Sequence, residues 1–206
     1  MRIGVIGAGK IGATVGRRLV EVGHEVAISN SRGRDAVKPV AEEIGAQAAD
    51  AEDAARFGDV VVEAIPFGEY ESLPADELRG KLVVDASNYY PGRDGKIEAV
   101  ESGTASTALV AQHLDGARVV KAFNTMMWRH IADAGKPAGD PARLALPVAG
   151  DDDEAKRLVI DLIDQIGFDG VDAGSLADSN RQEPGTPVYG ELLDADGVRD
   201  ALAPAA

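Results

Sequence analysis

The chain has 206 residues, 45% of them hydrophobic, with 35 acidic against 21 basic side chains and a formal net charge of -14. That size suits one domain with a substantial core, and the charge argues against nucleic acid as a partner because it repels phosphate backbones. Cysteine is absent, which excludes disulfides, thiolate catalysis and cysteine metal sites. The chain opens directly on a strand-like run without a charged leader, and no apolar run approaches the length of a membrane span. A cytoplasmic location without membrane contact is the resulting expectation.

The first stretch organises the rest. Ile3-Gly4-Val5-Ile6 predicts a buried strand, Gly7-Ala8-Gly9-Lys10-Ile11-Gly12 a glycine turn, and Ile11 to Val22 a helix with Ile11, Val15, Leu19 and Val22 on one face. The turn fits the dinucleotide fingerprint, in which Gly7 makes the bend, Gly9 admits a pyrophosphate to the backbone and Gly12 lets helix meet strand. Free N–H groups and the positive helix end at Lys10 and Ile11 suit the bridging phosphates. A glycine turn that holds no ligand is the alternative. Gly16 is a second side-chain-free position facing the sheet, and Gly23-His24 closes the helix before a strand over Glu25 to Ser29.

The end of that second strand selects the nucleotide. A carboxylate there takes the ribose hydroxyls of NAD, whereas a 2′-phosphate needs that acid absent and a cation nearby. The chain reads Ser29-Asn30-Ser31-Arg32-Gly33-Arg34 before its first acid, Asp35. NADP(H) is therefore expected, with polar donors on Asn30 and Ser31 and charge-assisted bonds from Arg32 and Arg34. A polar turn with solvated arginines is the competing reading.

Asp35 to Ile44 predicts a helix interrupted early by Pro39, Ala46 to Ala49 a short strand, and Asp50 to Phe57 a helix capped by Asp50. Asp59 to Ile65 reads as a central parallel strand, almost wholly apolar, stopped by Pro66-Phe67-Gly68 on the carboxyl edge where such folds bind ligands. Ile65, Pro66 and Phe67 are candidates to cover the nicotinamide or its ribose, against an ordinary strand-ending turn. A helical stretch over Glu69 to Leu78 and a strand over Lys81 to Asp85 follow, and the latter delivers Asn88 to the same edge. There Asn88 either bonds a ribose or carboxamide, or bonds its own backbone as Asn does in Pro/Gly turns. A helix over Thr104 to Leu114 and a strand over Ala117 to Phe123 present Asn124-Thr125-Met126-Met127-Trp128, polar groups beside a soft apolar patch that suits a stacked planar ring. A core-facing Met and Trp is the other reading, and Lys121 reads as a solvated strand-end lysine more readily than as a phosphate contact.

Arg143 to Ala149 predicts a further strand, with Pro147 placing it at an edge or a bulge. In Gly150-Asp151-Asp152-Asp153-Glu154 the acids are expected to serve a helix start running to about Ile166, with Asp151 as N-cap, and not a metal. Phe168 to Asp172 reads as a last strand, and the segment from about 175 to 206 as a loop and tail packed on a single NADP-binding domain spanning 1–206, fraying at its Ala-Pro-Ala-Ala end. Asn124, Met127 and Tyr189 are the candidates for the acceptor side, with Gly185 to Gly190 lining either substrate or a subunit contact. His24, His113 and His130 read as surface or packing residues, and no side chain is singled out as catalytic.

Read together and in this order, the glycine fingerprint, Ser31-Arg32, Ile65-Pro66, Lys121-Ala122-Phe123-Asn124-Thr125, Gly150 to Lys156 and Asp172-Ala173-Gly174-Ser175-Leu176 make the chain resemble the coenzyme F420-dependent NADP oxidoreductase family. The dinucleotide-binding unit is also similar to the reductase domain of membrane metalloreductases. The resemblance implies a Rossmann-type doubly wound, mainly parallel α/β fold binding NADP(H), with a deazaflavin (F420) or flavin ring laid face to face on the nicotinamide. It further implies that Ser31 and Arg32 take the 2′-phosphate, that Ile65, Pro66, Thr125 and Met126 flank the nicotinamide, and that the chain forms a homodimer. The loop Gln182 to Tyr189 and the polar tail depart from the apolar C-terminal helix of the family's F420 reductases. That departure leaves the acceptor open, with a small-molecule dehydrogenase and a non-catalytic NADP(H) sensor as rivals. Hydride transfer between two bound rings needs little acid–base help, because the cofactors carry the chemistry and the protein supplies distance and orientation.

Overall fold

A computed structural model describes residues 1–203 of the protein. The first half runs β1 (Arg2–Ile6), α1 (Lys10–Glu21), β2 (Glu25–Ser29), α2 (Arg34–Ile44), β3 (Gln47–Ala48), α3 (Ala51–Phe57), β4 (Val60–Glu63), α4 (Ala75–Leu78) and β5 (Leu82–Asp85). The second half runs α5 (Pro91–Asp94), α6 (Glu98–Glu101), α7 (Ser106–His113), β6 (Arg118–Lys121), α8 (Trp128–Asp133), β7 (Ala145–Gly150), α9 (Asp153–Gln165), β8 (Asp169–Asp172) and α10 (Ala195–Leu202). The sheet order is β3-β2-β1-β4-β5-β6-β7-β8. Strands β1 to β6 pair in parallel, β7 runs antiparallel to β6, and β8 is parallel to β7. The order 3-2-1-4-5-6 is that of a Rossmann sheet, so the doubly wound, mainly parallel architecture is as the sequence indicates.

Covering both faces explains the near-continuous apolar strands. Val5, Ile28, Val62, Val84 and Val120 pack on one side against Val15 and Leu19 of α1 and Val159 of α9. Their neighbours Val61, Val83 and Val119 point to the other side, where Ala54 and Ala55 of α3 and Val110 of α7 cover them. A third cluster joins Val171 of β8 to Val188 and to Val198 and Leu202 of α10.

Several local expectations are corrected. Helix α2 continues through Pro39, giving up the hydrogen bond that residue's nitrogen cannot donate. Glu69 to Leu78 is no single helical stretch: a 3-10 segment, Phe67–Ser72, is separated from α4 by extended Leu73 and by Pro74. Pro147 lies in an interior strand, with no bulge needed, because β7 pairs with β6 only at Ala149 and Gly150 while Pro147 aligns with Val171 of β8. The N-cap of α9 is Asp152, whose carboxylate accepts from the N–H groups of Glu154 and Ala155. Asp151 instead accepts from Leu176 N at 2.9 Å. The C-terminal segment carries α10, capped by Asp194. The expected fraying concerns a tail whose last three residues, 204–206, lie outside the described residues.

Candidate active site

The β1–α1 turn is built by sterics. Gly7 has φ 111°, a region L side chains avoid, and a Cβ on Gly12 would stand 1.8 Å from the Gly7 carbonyl oxygen. A Cβ on Gly9 would meet nothing within 4 Å, so this residue faces open space. Gly9 is the N-cap of α1 and supplies no side-chain cap, and the helix has no acid in its first turn. By contrast, α9 and α10 are capped by Asp152 and Asp194. The first-turn N–H groups of α1 are thus directed at the crevice, the arrangement that binds phosphate at helix starts.

At the end of β2, the Asn30 side chain accepts from Arg32 N at 2.9 Å. Ser31 and Arg32 are exposed, and among the described residues no carboxylate lies within 4.0 Å of the Arg32 guanidinium. Arg34 is differently placed. Its backbone N–H donates to Asp50 Oδ1 at 2.8 Å, and its guanidinium pairs with Asp50 at 3.5 Å and also with Asp53. Asp50, the N-cap of α3, makes no side-chain capping bond to its own helix, because its carboxylate is turned to Arg34.

Beyond Lys10 and Ile11 opens a cavity of about 700 Å³, within the range of cofactor and small-ligand sites. Ile65 and Pro66 form one wall, Thr125, Met126 and Met127 another, and Asn88, Asn124 and Tyr189 also line it. Phe67 does not reach it. That ring is fully buried, stacked on Tyr70 at 5.2 Å and edge-on to Tyr89 at 5.8 Å. Asn88 bonds neither backbone of its own turn nor open space: its Nδ2 donates to Asn124 O at 2.8 Å, and Asn124 Nδ2 donates back to Asn88 Oδ1 at 3.0 Å. Asn124 Nδ2 also donates to Gln182 O at 2.7 Å, and Gln182 Nε2 donates to Asn124 Oδ1 at 2.9 Å. The C-terminal loop is thereby tied to the site. Across the mouth the hydroxyls of Tyr90 and Tyr189 meet. Burial, and then the neighbouring Tyr90 hydroxyl, raise the Tyr189 pKa, so its phenol stays protonated. Lys10 and Arg129 lie 5.5 and 5.3 Å from the Trp128 ring centroid.

Beneath the crevice three ionisable groups close the central strands in register, Glu63 of β4 beside Asp85 of β5 beside Lys121 of β6. All three are fully buried. Lys121, expected to be solvated, instead stands 3.6 Å from Asp85 Oδ2 and donates to Thr107 Oγ1 at 2.8 Å. Burial works to raise the Asp85 pKa, but the Lys121 charge and the hydroxyls of Ser87 and Thr107 bring it down to about 2. Burial, then the charge of Asp85, push Glu63 well above the ordinary 4.5. The row therefore holds one ammonium, one carboxylate and one neutral carboxyl.

Residues 2–89 match the family model described as NADP oxidoreductase, coenzyme F420-dependent. Over that segment, which holds β1 to β5, the chain is similar to the family its sequence resembles. It is 30% identical over 187 residues to metalloreductase STEAP3 of Rattus norvegicus, across 88% of this chain and 36% of that protein. It is 31% identical over 145 residues to an F420-dependent NADP reductase of Methanocaldococcus jannaschii, across 66% of this chain and 62% of that one. The chain spans less than two thirds of the length of either relative. A crystal structure of hypothetical protein SMa0349 from Sinorhizobium meliloti superposes with a TM-score of 0.79 at 33% identity, covering 94% of both chains.

Against the family frame, the structure brings Gly9, Lys10, Ile11, Ile65, Pro66, Asn88, Thr125 and Met126 around one cavity with Asn124, Met127 and Tyr189. Asn30, Ser31, Arg32 and Arg34 lie apart, beyond the α1 end of it. Sequence reasoning missed Arg93, which lines the cavity with its guanidinium 5.0 Å from the Tyr90 ring centroid. It also missed the buried row. Its signal was present, since three apolar strands each stop on a charge, Val60–Glu63, Leu82–Asp85 and Arg118–Lys121. Among the described residues no group of three or more His, Cys, Asp and Glu side chains is spaced to hold a metal ion. No helix among them is long and apolar enough to cross a membrane.

Proposed function

We propose that the protein transfers hydride between NADP(H) and a planar ring acceptor of the deazaflavin (F420) or flavin type. The observation that carries this reading is the make-up of the cavity beyond the α1 start: apolar Ile65, Pro66, Met126 and Met127 with amides, hydroxyls and the cations Lys10 and Arg93, and neither a carboxylate nor a histidine in the lining. Such a wall orients flat rings and excludes water but offers little acid–base chemistry, which suits a step whose reactivity resides in the cofactors. In this reading the uncapped first turn of α1 holds the pyrophosphate and Arg32, with Ser31, the 2′-phosphate. Ile65, Pro66, Thr125 and Met126 hold the nicotinamide, while Met127, Asn124 and Tyr189 face the acceptor. Stacking the two rings with reacting carbons roughly 3–3.5 Å apart gives most of the rate that positioning can supply.

The test is an acceptor panel: purified protein with NADPH and, in turn, a 5-deazaflavin, FMN, FAD and a ferric chelate, followed at the nicotinamide absorbance. Oxidation that requires a ring acceptor supports the reading. Tight NADPH binding without turnover on any acceptor replaces it with a sensor, and turnover on small alcohols or imines alone replaces it with a dehydrogenase. We further propose a cytoplasmic location. We also propose a homodimer, for which exposed Met127, Tyr90 and Leu192 supply apolar surface; light scattering at the mass of one 21.4 kDa chain overturns that.

A further inference from the structure

Burying Glu63, Asp85 and Lys121 side by side is costly, because the charges of Asp85 and Lys121 must be desolvated before they compensate each other, and the polar carboxyl of Glu63 must be desolvated with them. The adjacent strand ends, Ile6 of β1 and Ser29 of β2, carry no charge, so the fold itself makes no such demand. What the row touches is the set of loops that wall the cavity. Asp85 Oδ1 accepts from Ser87 N at 2.7 Å and Ser87 Oγ at 2.6 Å, and Lys121 Nζ donates to Ser87 O at 3.2 Å. Ser87 is thus held at its amide, hydroxyl and carbonyl, and the next residue is Asn88, which exchanges amide bonds with Asn124. Thr107 and Ser106 at the start of α7 anchor the ammonium from behind, at 2.8 and 3.2 Å. On the other flank Glu63 Oε2 accepts from Ile65 N at 3.3 Å. Two residues past Lys121, Phe123 has φ 64°, a conformation that persists only where the surroundings impose it.

We infer that the Glu63–Asp85–Lys121 row is a positioning device for the nicotinamide-side wall. It fixes the Ser87–Asn88 turn and the Asn124 loop after β6 at one height above the sheet; the β2 turn stands outside its reach, and the β1 turn meets only its Glu63 flank, where Gly7 packs on the Ala64–Ile65 backbone. The identity of the ring above the wall rests on the proposed NADP(H) reading; the mechanical claim does not. Lys121→Met leaves Asp85 buried beside a second carboxyl and risks misfolding, so the decisive variant is Asp85→Asn/Lys121→Met, which removes both charges, a replacement that is often tolerated.

Amide hydrogen exchange on the ligand-free double variant is expected to show protection falling at Ser87 and Gly190, whose N–H groups donate to Asp85 Oδ1 and Thr125 O, and kept at Gly7 and Ala13, which donate to Ser29 O and Gly9 O. In the complex, NADPH affinity is expected to stay within about threefold of the parent, while the emission of the bound nicotinamide falls toward that of free NADPH and single-turnover hydride transfer slows about tenfold or more. A simple loss of stability would lower the melting temperature without separating ring placement from phosphate binding. Unchanged exchange at Ser87 and Gly190 in the folded double variant overturns the inference, as does a parent-like nicotinamide emission with parent-like affinity. If the parent itself fails to bind NADPH, the proposed function falls, and the exchange pattern alone decides the row.

Discussion

Replacing Arg32 with Ala separates the two arginines of the β2–α2 turn. Arg34 is engaged by Asp50 at 3.5 Å and by Asp53, so its charge is largely neutralised before any ligand arrives. Arg32 has no such partner among the described residues and is exposed. A charge-assisted bond from an exposed guanidinium to a phosphate monoester contributes about 1.5–3 kcal/mol. Arg32→Ala should then weaken NADPH binding by about 10- to 150-fold. NADH lacks that phosphate, and its affinity should move by no more than about twofold, so the variant loses nucleotide preference by weakening only one of the two. Arg34→Ala should change NADPH affinity by only about twofold, since what it removes is a pair of exposed ion pairs with little net energy. The assay is a fluorescence titration of both nucleotides against the three proteins at fixed ionic strength. A parent-like NADPH to NADH ratio in Arg32→Ala refutes the reasoning, and a collapse in Arg34→Ala alone moves the phosphate to the other arginine.

Two glycines of the turn should behave oppositely. Gly12→Ala forces a Cβ to 1.8 Å from the Gly7 carbonyl oxygen, an overpacking of backbone that should cost about 3 kcal/mol and lower the melting temperature by roughly 10 °C. Gly9→Ala meets no atom within 4 Å, so calorimetry should find the melting temperature nearly unchanged while NADPH binding weakens; equal binding with Ala at residue 9 would take the pyrophosphate away from this turn. The buried row sets a pH signature. Because the folded state keeps Glu63 protonated above its ordinary 4.5, wild-type stability is fully held below that value and erodes as pH rises toward the folded pKa, by up to about 1.4 kcal/mol per unit. Glu63→Gln removes this slope, so urea unfolding from pH 5 to 8 should show the variant gaining on the parent as pH rises, and a constant difference refutes the protonated carboxyl. Asp85 has the opposite sign: its contribution is present above the ordinary 3.8 and is lost as pH falls toward about 2.

How far the sequence could be read depended on the range of the interactions. The β1–turn–α1 unit was legible because its determinants are local: three glycines at fixed spacing and an apolar face of period 3.6. The strands β4 to β6 were legible as uninterrupted apolar runs. Lys121 was misread because a strand-end lysine is normally solvated, and its partners Asp85 and Thr107 stand 36 and 14 residues away in the chain. The pairing of Arg34 with Asp50 was hidden for the same reason, since Asp50 reaches it from the start of another helix. Phe67 sits where a ligand-facing aromatic would, but Tyr70 and Tyr89 draw it into the core. Helix α10 left a signal that was passed over, a capping Asp194 followed by Val198 and Leu202 four residues apart on one face.

The same asymmetry governs how a polyanion would find this protein. With 35 acids against 21 bases, the long-range field repels a nucleotide, and most cations in the fold are already matched to carboxylates. Lys10, Arg32 and Arg129 have no carboxylate within 4.0 Å among the described residues, and Lys10 and Arg129 both flank Trp128 at the crevice. Attraction is therefore short-ranged and repulsion long-ranged. Salt screens the distant charges first, since the Debye length is about 8–10 Å at physiological ionic strength. Raising salt from low to moderate concentration should accordingly speed NADPH association while also speeding its dissociation as the contact at Arg32 weakens. In a protein whose nucleotide were captured by a broad basic field, the association rate would fall with salt. A falling rate in stopped-flow measurements would mean that the three cations act at a distance, and that the net charge of -14 is segregated away from the crevice.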